Sequence, residues 1–290
     1  MRPPLVHTGE NPACLKGFFS QISLFLVDAS GVLYNDDGVI PGAIEAIAKM
    51  QKQAPVFLVT NNSSHHIQLI SDTLSGLGFS FSPSHIISSG LGLSRDTFMR
   101  RFIEGKRIGI WGGEPSYEYL KQANCKEICP HYEDVDCIVL TSSLGEKAEG
   151  EYQRLKQYLL GNNVPIICCN PDRVIRGTRG KMIPVMGHYA RRLEEELEIS
   201  VMWIGKPYLN FSLLVKQILL DDHGIDIQKR ASKTVFFDDN ALNIGAMTKD
   251  LGIQGCLVHS SGISFNRSIK ECLAQTDHPI AFTISTLKGI

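Results

Sequence analysis

Four polar clusters in the sequence contain the residue types that phosphoryl-group chemistry uses. They are Asp28-Ala29-Ser30-Gly31, Thr60-Asn61, Gly205-Lys206-Pro207 and Asp238-Asp239-Asn240. Together they offer a carboxylate nucleophile, a hydroxyl and an amide for phosphate oxygens, an ammonium group, and further acids for a hard cation. Each cluster alone is more typical of a turn or a helix cap. Their joint presence predicts a site that holds a phosphoryl group.

Short apolar segments, typical of buried parallel strands, must position three of these clusters. The segments are residues 24–27, 55–59 and 234–237, and each ends directly before a cluster. Residues 43–50, between the first two, have the apolar spacing of an amphipathic helix and complete a βαβ unit. Parallel sheets bind ligands at the carboxyl ends of their strands. We therefore expect the clusters to meet at one edge of a sheet.

The rest of the chain repeats this alternation of strands and helices, with neither a low-complexity linker nor an internal repeat. Further strands are predicted at residues 85–89, 107–111, 137–140, 165–169 and 201–204. Further helices are predicted at residues 67–77, 116–122, 148–160, 189–197 and 209–220, and the fourth of these, rich in Arg and Glu, is expected to be exposed. The alternation predicts an α/β fold with a mainly parallel sheet.

Composition excludes several functional classes. The 290 residues include 29 basic and 30 acidic side chains, for a net charge of −1. This balance argues against nucleic-acid binding, which needs a clustered excess of Lys and Arg. We predict no membrane helix, and residues 1–20 do not have the pattern of a secretory signal, so a cytoplasmic location is expected. The eight cysteines are scattered, and Cys125 and Cys129 have no matching Cys/His pair, which favours reduced thiols over zinc.

The ordered motifs resemble those of the haloacid dehalogenase superfamily, and within it the class IIA phosphatases, whose relatives include pyridoxal phosphate and phosphoglycolate phosphatases. The matching segments are residues 26–34, 58–63, 203–207 and 238–246, with 170–172 near the end of the cap and 257–262 at the final strand and loop. The resemblance implies a three-layer Rossmann-like core of residues 1–94 and 196–290. An α/β cap of residues 95–195 would be inserted into it.

The resemblance also implies a function, magnesium-dependent hydrolysis or transfer of the phosphoryl group of a small phosphorylated metabolite. Asp28 would be the nucleophile that becomes an aspartyl phosphate. Thr60 and Asn61 would bind phosphoryl oxygens, Asn61 partly through its backbone amide. Lys206 would stabilise charge on both the nucleophile and the phosphate. Similar proteins often dimerise through the cap, so a homodimer is an expectation of the same kind.

For the magnesium ion, the resemblance implies Asp28, the backbone carbonyl of Ser30 and Asp239 as ligands. Asp238 would orient a ligand or be an alternative ligand. In the cap, Asp172 is the strongest candidate for substrate selection, in a segment that could contact substrate or form a solvated loop. That segment also contains Arg173, Arg176 and Arg179. His65-His66 is interpreted as a solvent-facing pair at a helix start.

Two positions depart from the family pattern. Ser30 stands where hydrolytic members usually have a second Asp that protonates the leaving group, and its hydroxyl is far too basic for that role. The loss is expected to slow release of a poor leaving group about 10²–10⁴-fold. Asn243 replaces another acid that many members have. Three interpretations stay open: a slow phosphatase, a noncatalytic phosphate-ligand-binding or regulatory protein, and an enzyme whose leaving group needs no protonation.

Overall fold

The protein, described by a computed structural model over residues 11–143, 145–288 and 290, contains two parallel sheets and two short hairpins. In chain order the strands are β1 Leu24–Val27, β2 Tyr34–Asn35, β3 Gly38–Val39, β4 Val56–Thr60, β5 Ile86–Ser88, β6 Arg107–Trp111, β7 Glu127–Cys129, β8 Cys137–Leu140, β9 Ile166–Cys168, β10 Val174–Arg176, β11 Met182–Pro184, β12 Val201–Trp203, β13 Thr234–Asp238, β14 Gln254–Val258 and β15 Phe282–Ile284. The α-helices are α1 Pro12–Phe19, α2 Ala43–Gln53, α3 Ile67–Gly76, α4 Gly92–Arg95, α5 Thr97–Ile103, α6 Tyr117–Gln122, α7 Ala148–Gly161, α8 Met186–Leu197, α9 Leu209–His223, α10 Ala241–Leu251 and α11 Ile269–Leu273.

The larger sheet has the strand order β15-β14-β13-β1-β4-β5, and all its pairings are parallel. Its two faces bury alternate side chains of each strand. In β1, Leu24 and Leu26 join one apolar cluster, whereas Phe25 and Val27 join another. A sheet that is buried on both faces needs helices on both sides, which explains the continuous apolar runs in these strands. The predicted three-layer α/β fold with a mainly parallel sheet is confirmed.

Strand β1 lies at the topological switch point of this sheet. It pairs with β4 on one side and with β13 on the other, and Val27 is in register with both Leu58 and Phe237. The connections that follow β1 and β13 therefore diverge, which opens a crevice at the carboxyl ends of the strands. The larger sheet thus brings three of the four polar clusters to one edge, as their order along the chain predicts.

The second sheet has the order β12-β9-β8-β6-β7, again with only parallel pairings. One of its faces belongs to the same apolar cluster as the larger sheet, through residues such as Ile110 and Val139. From the sequence, residue 201 was predicted to belong to the core. In the structure, β12 (Val201–Trp203) pairs with β9 (Ile166–Cys168) of the second sheet. We therefore keep the division into core and inserted cap as a proposal, with the end of the cap moved from residue 195 to Trp203.

Further differences from the sequence prediction lie in the proposed cap, and two of them concern its second half. The hairpin of β10 and β11 falls in a segment for which no strand was predicted. Helix α8 begins at Met186 and buries Tyr189, Ala190 and Leu193, so only its opposite face is exposed. These apolar residues recur at helical spacing, and the many Arg and Glu residues between them masked the pattern.

Among the described helices, none has the length and apolar composition that crossing a bilayer requires.

Candidate active site

Asp28 lies directly after β1 at the carboxyl edge of the larger sheet. Its backbone N–H donates a hydrogen bond to Phe237 O (2.8 Å), which extends the ladder between β1 and β13 by one residue. Thr60 is the last residue of β4 and Asp238 the last of β13. All three side chains are buried, and Asp28 is 7% exposed. The fold thus brings the predicted nucleophile, the predicted phosphate-binding hydroxyl and the acidic cluster together.

Lys206 completes this group from the loop between β12 and α9. Its ammonium donates hydrogen bonds to Asp28 Oδ1 (2.7 Å), Asp238 Oδ2 (2.7 Å) and the carbonyl oxygen of Val59 (2.9 Å). The side chain is 1% exposed. Burial favours the neutral amine, but the charges of Asp238 and Asp28 outweigh this effect and raise the pKa of Lys206 above its ordinary value. Lys206 is therefore a buried cation held between two carboxylates.

The side chain of Asn61 holds the backbone of Lys206 in place. Asn61 Oδ1 accepts a hydrogen bond from Lys206 N (2.8 Å), and Asn61 Nδ2 donates to Lys206 O (3.0 Å) and to Asp172 Oδ1 (3.1 Å). Gly205 allows this close approach: it has a φ of +122°, and an added Cβ would lie 2.7 Å from Asn61 Oδ1. Because the side chain of Asn61 is fully occupied, its backbone amide is the group left for a phosphoryl oxygen.

Four carboxylates surround this single ammonium group. Burial raises the pKa of Asp28 to about 7, opposed by Lys206 and reinforced by Asp238. Burial also raises the pKa of Asp172 to about 6, and that of Asp239 well above its ordinary range. Burial is the largest cause of each increase, and repulsion from neighbouring carboxylates adds to it. A bound cation would offset that repulsion.

Asp239 is fixed by the loop that follows β14. Its Oδ2 accepts a hydrogen bond from Ile263 N (2.6 Å), and its backbone oxygen accepts one from Ser264 Oγ (2.6 Å). A Cβ added to Gly262 would lie 1.7 Å from Asp239 Oδ2, so only glycine leaves room for the carboxylate. The backbone of this loop therefore determines where the carboxylate points.

The residues present fit a magnesium ion. Asp28, Asp238 and Asp239 each offer a carboxylate oxygen, and these atoms lie within 4.8 Å of one another. An inner cavity of about 30 Å³ is lined by Asp28, Ser30, Asp239 and Asn243, among others. It has room for water-sized groups. Asn243 Oδ1 is buried without a hydrogen-bond partner, as an acceptor for a metal-bound water would be.

Asp238 differs from the other two acids because protein groups already engage both of its oxygens. Oδ2 accepts from Lys206, and Oδ1 accepts from Asn240 N (2.8 Å) and, at longer range, from Asn243 Nδ2 (3.4 Å). Its side chain is 0% exposed. Of the two roles that the sequence left open for Asp238, these contacts favour orienting the site over direct coordination of a metal.

An outer cavity of about 270 Å³ opens from Asp28 toward the second sheet. It is lined by Ser30, Thr60, Asn61 and Asp172, and also by residues that the sequence analysis did not predict as site residues. The unpredicted residues include Tyr34, Asn35, Asn170 and the run Thr141-Ser142-Ser143. A signal for this run was available, because it follows the apolar strand β8 just as the four polar clusters follow theirs.

Other candidates lie away from the outer cavity. Arg176 lines only the inner cavity and pairs with Asp37 (3.1 Å). Neither cavity is lined by Arg173, Arg179, His65 or His66. The two histidines are half-buried, whereas the sequence predicted that they face solvent. A larger groove of about 490 Å³ runs past the amino ends of β4 and β5 and contains none of the predicted site residues.

Comparisons with known proteins agree with this architecture. Residues 25–126 match the family model of the haloacid dehalogenase-like hydrolases. The fold is similar to that of a possible sugar phosphatase of the haloacid dehalogenase superfamily from Cytophaga hutchinsonii, with a TM-score of 0.81 and 20% identity over 94% of this chain and 96% of that one. It is also similar to a p-nitrophenyl phosphatase from Archaeoglobus fulgidus, with a TM-score of 0.71 and 20% identity over 92% and 97% of the two chains.

A third similar structure is NagD from Escherichia coli K-12, with a TM-score of 0.67 and 21% identity over 93% of this chain and 98% of that one. No curated protein sequence matches this chain. The comparisons confirm the predicted resemblance to the haloacid dehalogenase superfamily, in the family model over residues 25–126 and in the shared fold. At about 20% identity, the similar structures establish the fold alone.

Proposed function

We propose that this haloacid dehalogenase-like chain removes or transfers the phosphoryl group of a small phosphorylated metabolite, with magnesium, through an aspartyl phosphate on Asp28. The observation that carries the proposal is the contact between the Lys206 ammonium and Asp28 at the switch point of the sheet. A buried lysine beside a carboxylate opposes the effect of burial on that carboxylate by favouring its ionised form, and it orients the carboxylate at the mouth of a cavity. An ordinary structural ion pair has no need of such a cavity.

In the proposed reaction, an oxygen of Asp28 attacks phosphorus and the bond from phosphorus to the leaving-group oxygen breaks. Lys206 contacts Oδ1, and none of the described residues donates a hydrogen bond to Oδ2, which would leave Oδ2 as the attacking oxygen. Water then attacks the aspartyl phosphate and releases inorganic phosphate, or an acceptor hydroxyl takes the phosphoryl group instead. The charge on Lys206 offsets the repulsion between Asp28 and its anionic substrate.

Thr60 and Asn61 would hold the phosphoryl oxygens. Thr60 Oγ1 accepts a hydrogen bond from Asn62 N (3.2 Å), which leaves the hydroxyl proton for a phosphoryl oxygen. The backbone amide of Asn61 would supply a second donor, because its side chain is bonded to Lys206 and Asp172. Hydrogen-bond donors in this position would stabilise the charge on the phosphoryl oxygens during transfer.

Asp28, the carbonyl of Ser30 and Asp239 would hold the magnesium ion, while Asp238 keeps Lys206 in place. When bound, magnesium supplies positive charge that stabilises the phosphoryl oxygens near the carboxylates. Asn243 would orient a water ligand through the oxygen that otherwise lacks a partner. Dimerisation through the cap, which the resemblance implies, stays a prediction.

Ser30 restricts which leaving groups can depart. It lines both cavities beside Asp28, at the place where a carboxylic acid would reach the leaving group. Because its hydroxyl is a poor acid, an alkoxide must leave without a proton from residue 30. Acyl phosphates and aryl phosphates need no such proton. We therefore expect turnover on activated phosphates to exceed turnover on alkyl phosphates.

The test is a magnesium-dependent assay of acetyl phosphate and p-nitrophenyl phosphate with the native protein. The phosphoryl-enzyme is sought by intact-mass measurement after acid quenching. Asp28→Asn should abolish both turnover and the added phosphoryl mass. Asp221→Asn, the same change at an exposed position on α9, is the matched control and should behave as the native protein does.

Two outcomes would contradict the proposal. Turnover that survives Asp28→Asn would contradict the assigned nucleophile. If the native protein binds inorganic phosphate but neither turns over a substrate nor traps a phosphoryl group, the noncatalytic binding function replaces the enzyme. That alternative has a specific basis in Ser30, which removes the acid but leaves the rest of the phosphate site in place.

A further inference from the structure

The outer cavity, where the leaving group must lie, is lined by neutral hydrogen-bonding groups. Besides Ser30, Tyr34, Asn35 and the residues assigned to the phosphoryl group, six lining residues carry a hydroxyl or an amide, and these six follow the ends of β4, β8 and β9. They are Asn62, Ser64, Thr141, Ser142, Ser143 and Asn170. Such groups can donate to and accept from hydroxyls of a ligand. Ile175 and Val185 supply the apolar contacts, and both belong to the cap.

The charged side chains of this cavity are all acidic. Besides Asp28, these are Asp36 and Asp172, and none of the described residues that line the cavity is a lysine, an arginine or a histidine. Lys206 is already held between Asp28 and Asp238. Arg176, which lines the neighbouring inner cavity, pairs with Asp37. A second anionic group on a ligand would therefore meet carboxylates without a counterion.

We propose that the substrate is a phosphomonoester or acyl phosphate of a small, hydroxyl-bearing molecule that is neutral or carries an amine, and that the cavity excludes molecules with a second acidic group. This inference rests on the proposed function for the position of the phosphoryl group. Like charges placed together across a binding surface weaken binding strongly, whereas an amine near Asp36 or Asp172 strengthens it.

The size of the cavity restricts the substrate further. At about 270 Å³, the cavity lies just below the ~300–1,000 Å³ that is typical of small-molecule pockets. It therefore suits a molecule the size of a hexose rather than a nucleotide. Tyr34 adds a neutral donor, because burial and then the charge of Asp28 raise its pKa to about 12. The lining thus matches a polyol or an amino sugar in both size and hydrogen-bonding capacity.

The experiment compares three six-carbon phosphate esters of different charge, two sugars that form rings and one open-chain acid. Glucosamine-6-phosphate has an added amine, glucose-6-phosphate has none, and 6-phosphogluconate has an added carboxylate. Each is used as a competitive inhibitor of acetyl phosphate turnover by the native protein with magnesium, so that none of them has to be turned over. We expect the amine to bind most tightly and the acid most weakly, with the two differing on the order of 10- to 100-fold at low salt.

Ser143→Arg adds a cation to the cavity and should reduce or reverse this order. The matched control is Ser75→Arg, which adds the same side chain on the exposed surface of α3 and should keep the native order. The difference between the amine and the acid should also shrink at high salt, because screening weakens charge effects.

Equal inhibition constants for the three compounds, or tightest binding of 6-phosphogluconate, would overturn the inference. So would an unchanged order in Ser143→Arg. If acetyl phosphate is not turned over, the proposed reaction fails, and the three affinities are measured by calorimetry instead. Their order, or the absence of any binding, then still decides the inference about the substrate.

Discussion

Replacing Asp238 by Asn removes a charge while it keeps the size of the side chain. Lys206 then loses a charge-assisted hydrogen bond of 2.7 Å between side chains that are 1% and 0% exposed. Because Lys206 keeps Asp28 as a counterion, we do not expect the ~3–5 kcal/mol of a fully unpaired buried charge. A hydrogen bond to a charged group contributes about 1.5–3 kcal/mol. Relief of repulsion among the remaining acids places the expected decrease in the free energy of unfolding near the lower end of that range.

The neighbouring Asn243 offers a second variant that restores the charge. Asn243 Nδ2 lies 3.4 and 3.5 Å from the two oxygens of Asp238. Asp238→Asn combined with Asn243→Asp therefore exchanges carboxylate and amide across one contact, and puts an acid where the family resemblance expects it. We expect the double variant to regain at least half of the lost stability and turnover. Asn243→Asp alone adds another buried acid and should destabilise the protein.

Urea denaturation with a chelator present measures the free energy of unfolding of the native protein and the three variants. Acetyl phosphate turnover with magnesium measures their function. The slope of the unfolding free energy against urea should stay constant, which would show that the change lies in stability rather than in the unfolded state. The prediction is contradicted if Asp238→Asn changes neither the free energy of unfolding nor turnover. It is also contradicted if the double variant regains neither of them relative to Asp238→Asn alone. In either case Asp238 does not stabilise Lys206.

Three further predictions follow from the site. Ser30→Asp restores a carboxylic acid beside the leaving group and should raise turnover of alkyl phosphates relative to acetyl phosphate by about 10²–10⁴-fold; an unchanged ratio in the kinetic assay would contradict this. Gly262→Ala must displace the carboxylate of Asp239 and should weaken the stabilisation by magnesium in thermal unfolding, whereas Gly150→Ala, where an added Cβ meets nothing within 4 Å, should not. Burial raises the pKa of Asp28 from 3.8 to about 7, so the folded chain binds this proton more tightly than the unfolded chain does. The stability of the metal-free protein should therefore fall as pH rises between these values and level off above them, and urea denaturation of Asp28→Asn should show a smaller decrease.

The apolar strands and the residues directly after them could be predicted from the sequence. Strands β1, β6 and β8 have the predicted bounds, because each is an apolar run, apart from Arg107 at the start of β6, that both faces of its sheet bury. The rule that ligands bind at carboxyl ends then placed Asp28 and Thr60 correctly without any knowledge of contacts.

The partners of the polar side chains could not be predicted in the same way. Asp238 and Asp239 are adjacent in sequence, yet one contacts Lys206 and the other contacts the loop at Ile263. That difference depends on which way each side chain points at the end of β13, since neighbouring residues of a strand face opposite sides. The sequence also could not show that β12 belongs to the second sheet, because β12 joins that sheet only through its pairing with β9.

The hydrogen bonds of Lys206 also limit when its ammonium group could donate to a phosphoryl oxygen. An ammonium group donates three hydrogen bonds, and those of Lys206 go to Asp28, Asp238 and the carbonyl of Val59. A phosphoryl oxygen must therefore replace one of these acceptors. Val59 lies within β4 and Asp238 is fully buried, whereas Asp28 would lose its negative charge in the proposed reaction, when it bonds to phosphorus. We therefore expect Asp238 and Val59 to anchor the ammonium while its third hydrogen bond passes from Asp28 to the transferred group.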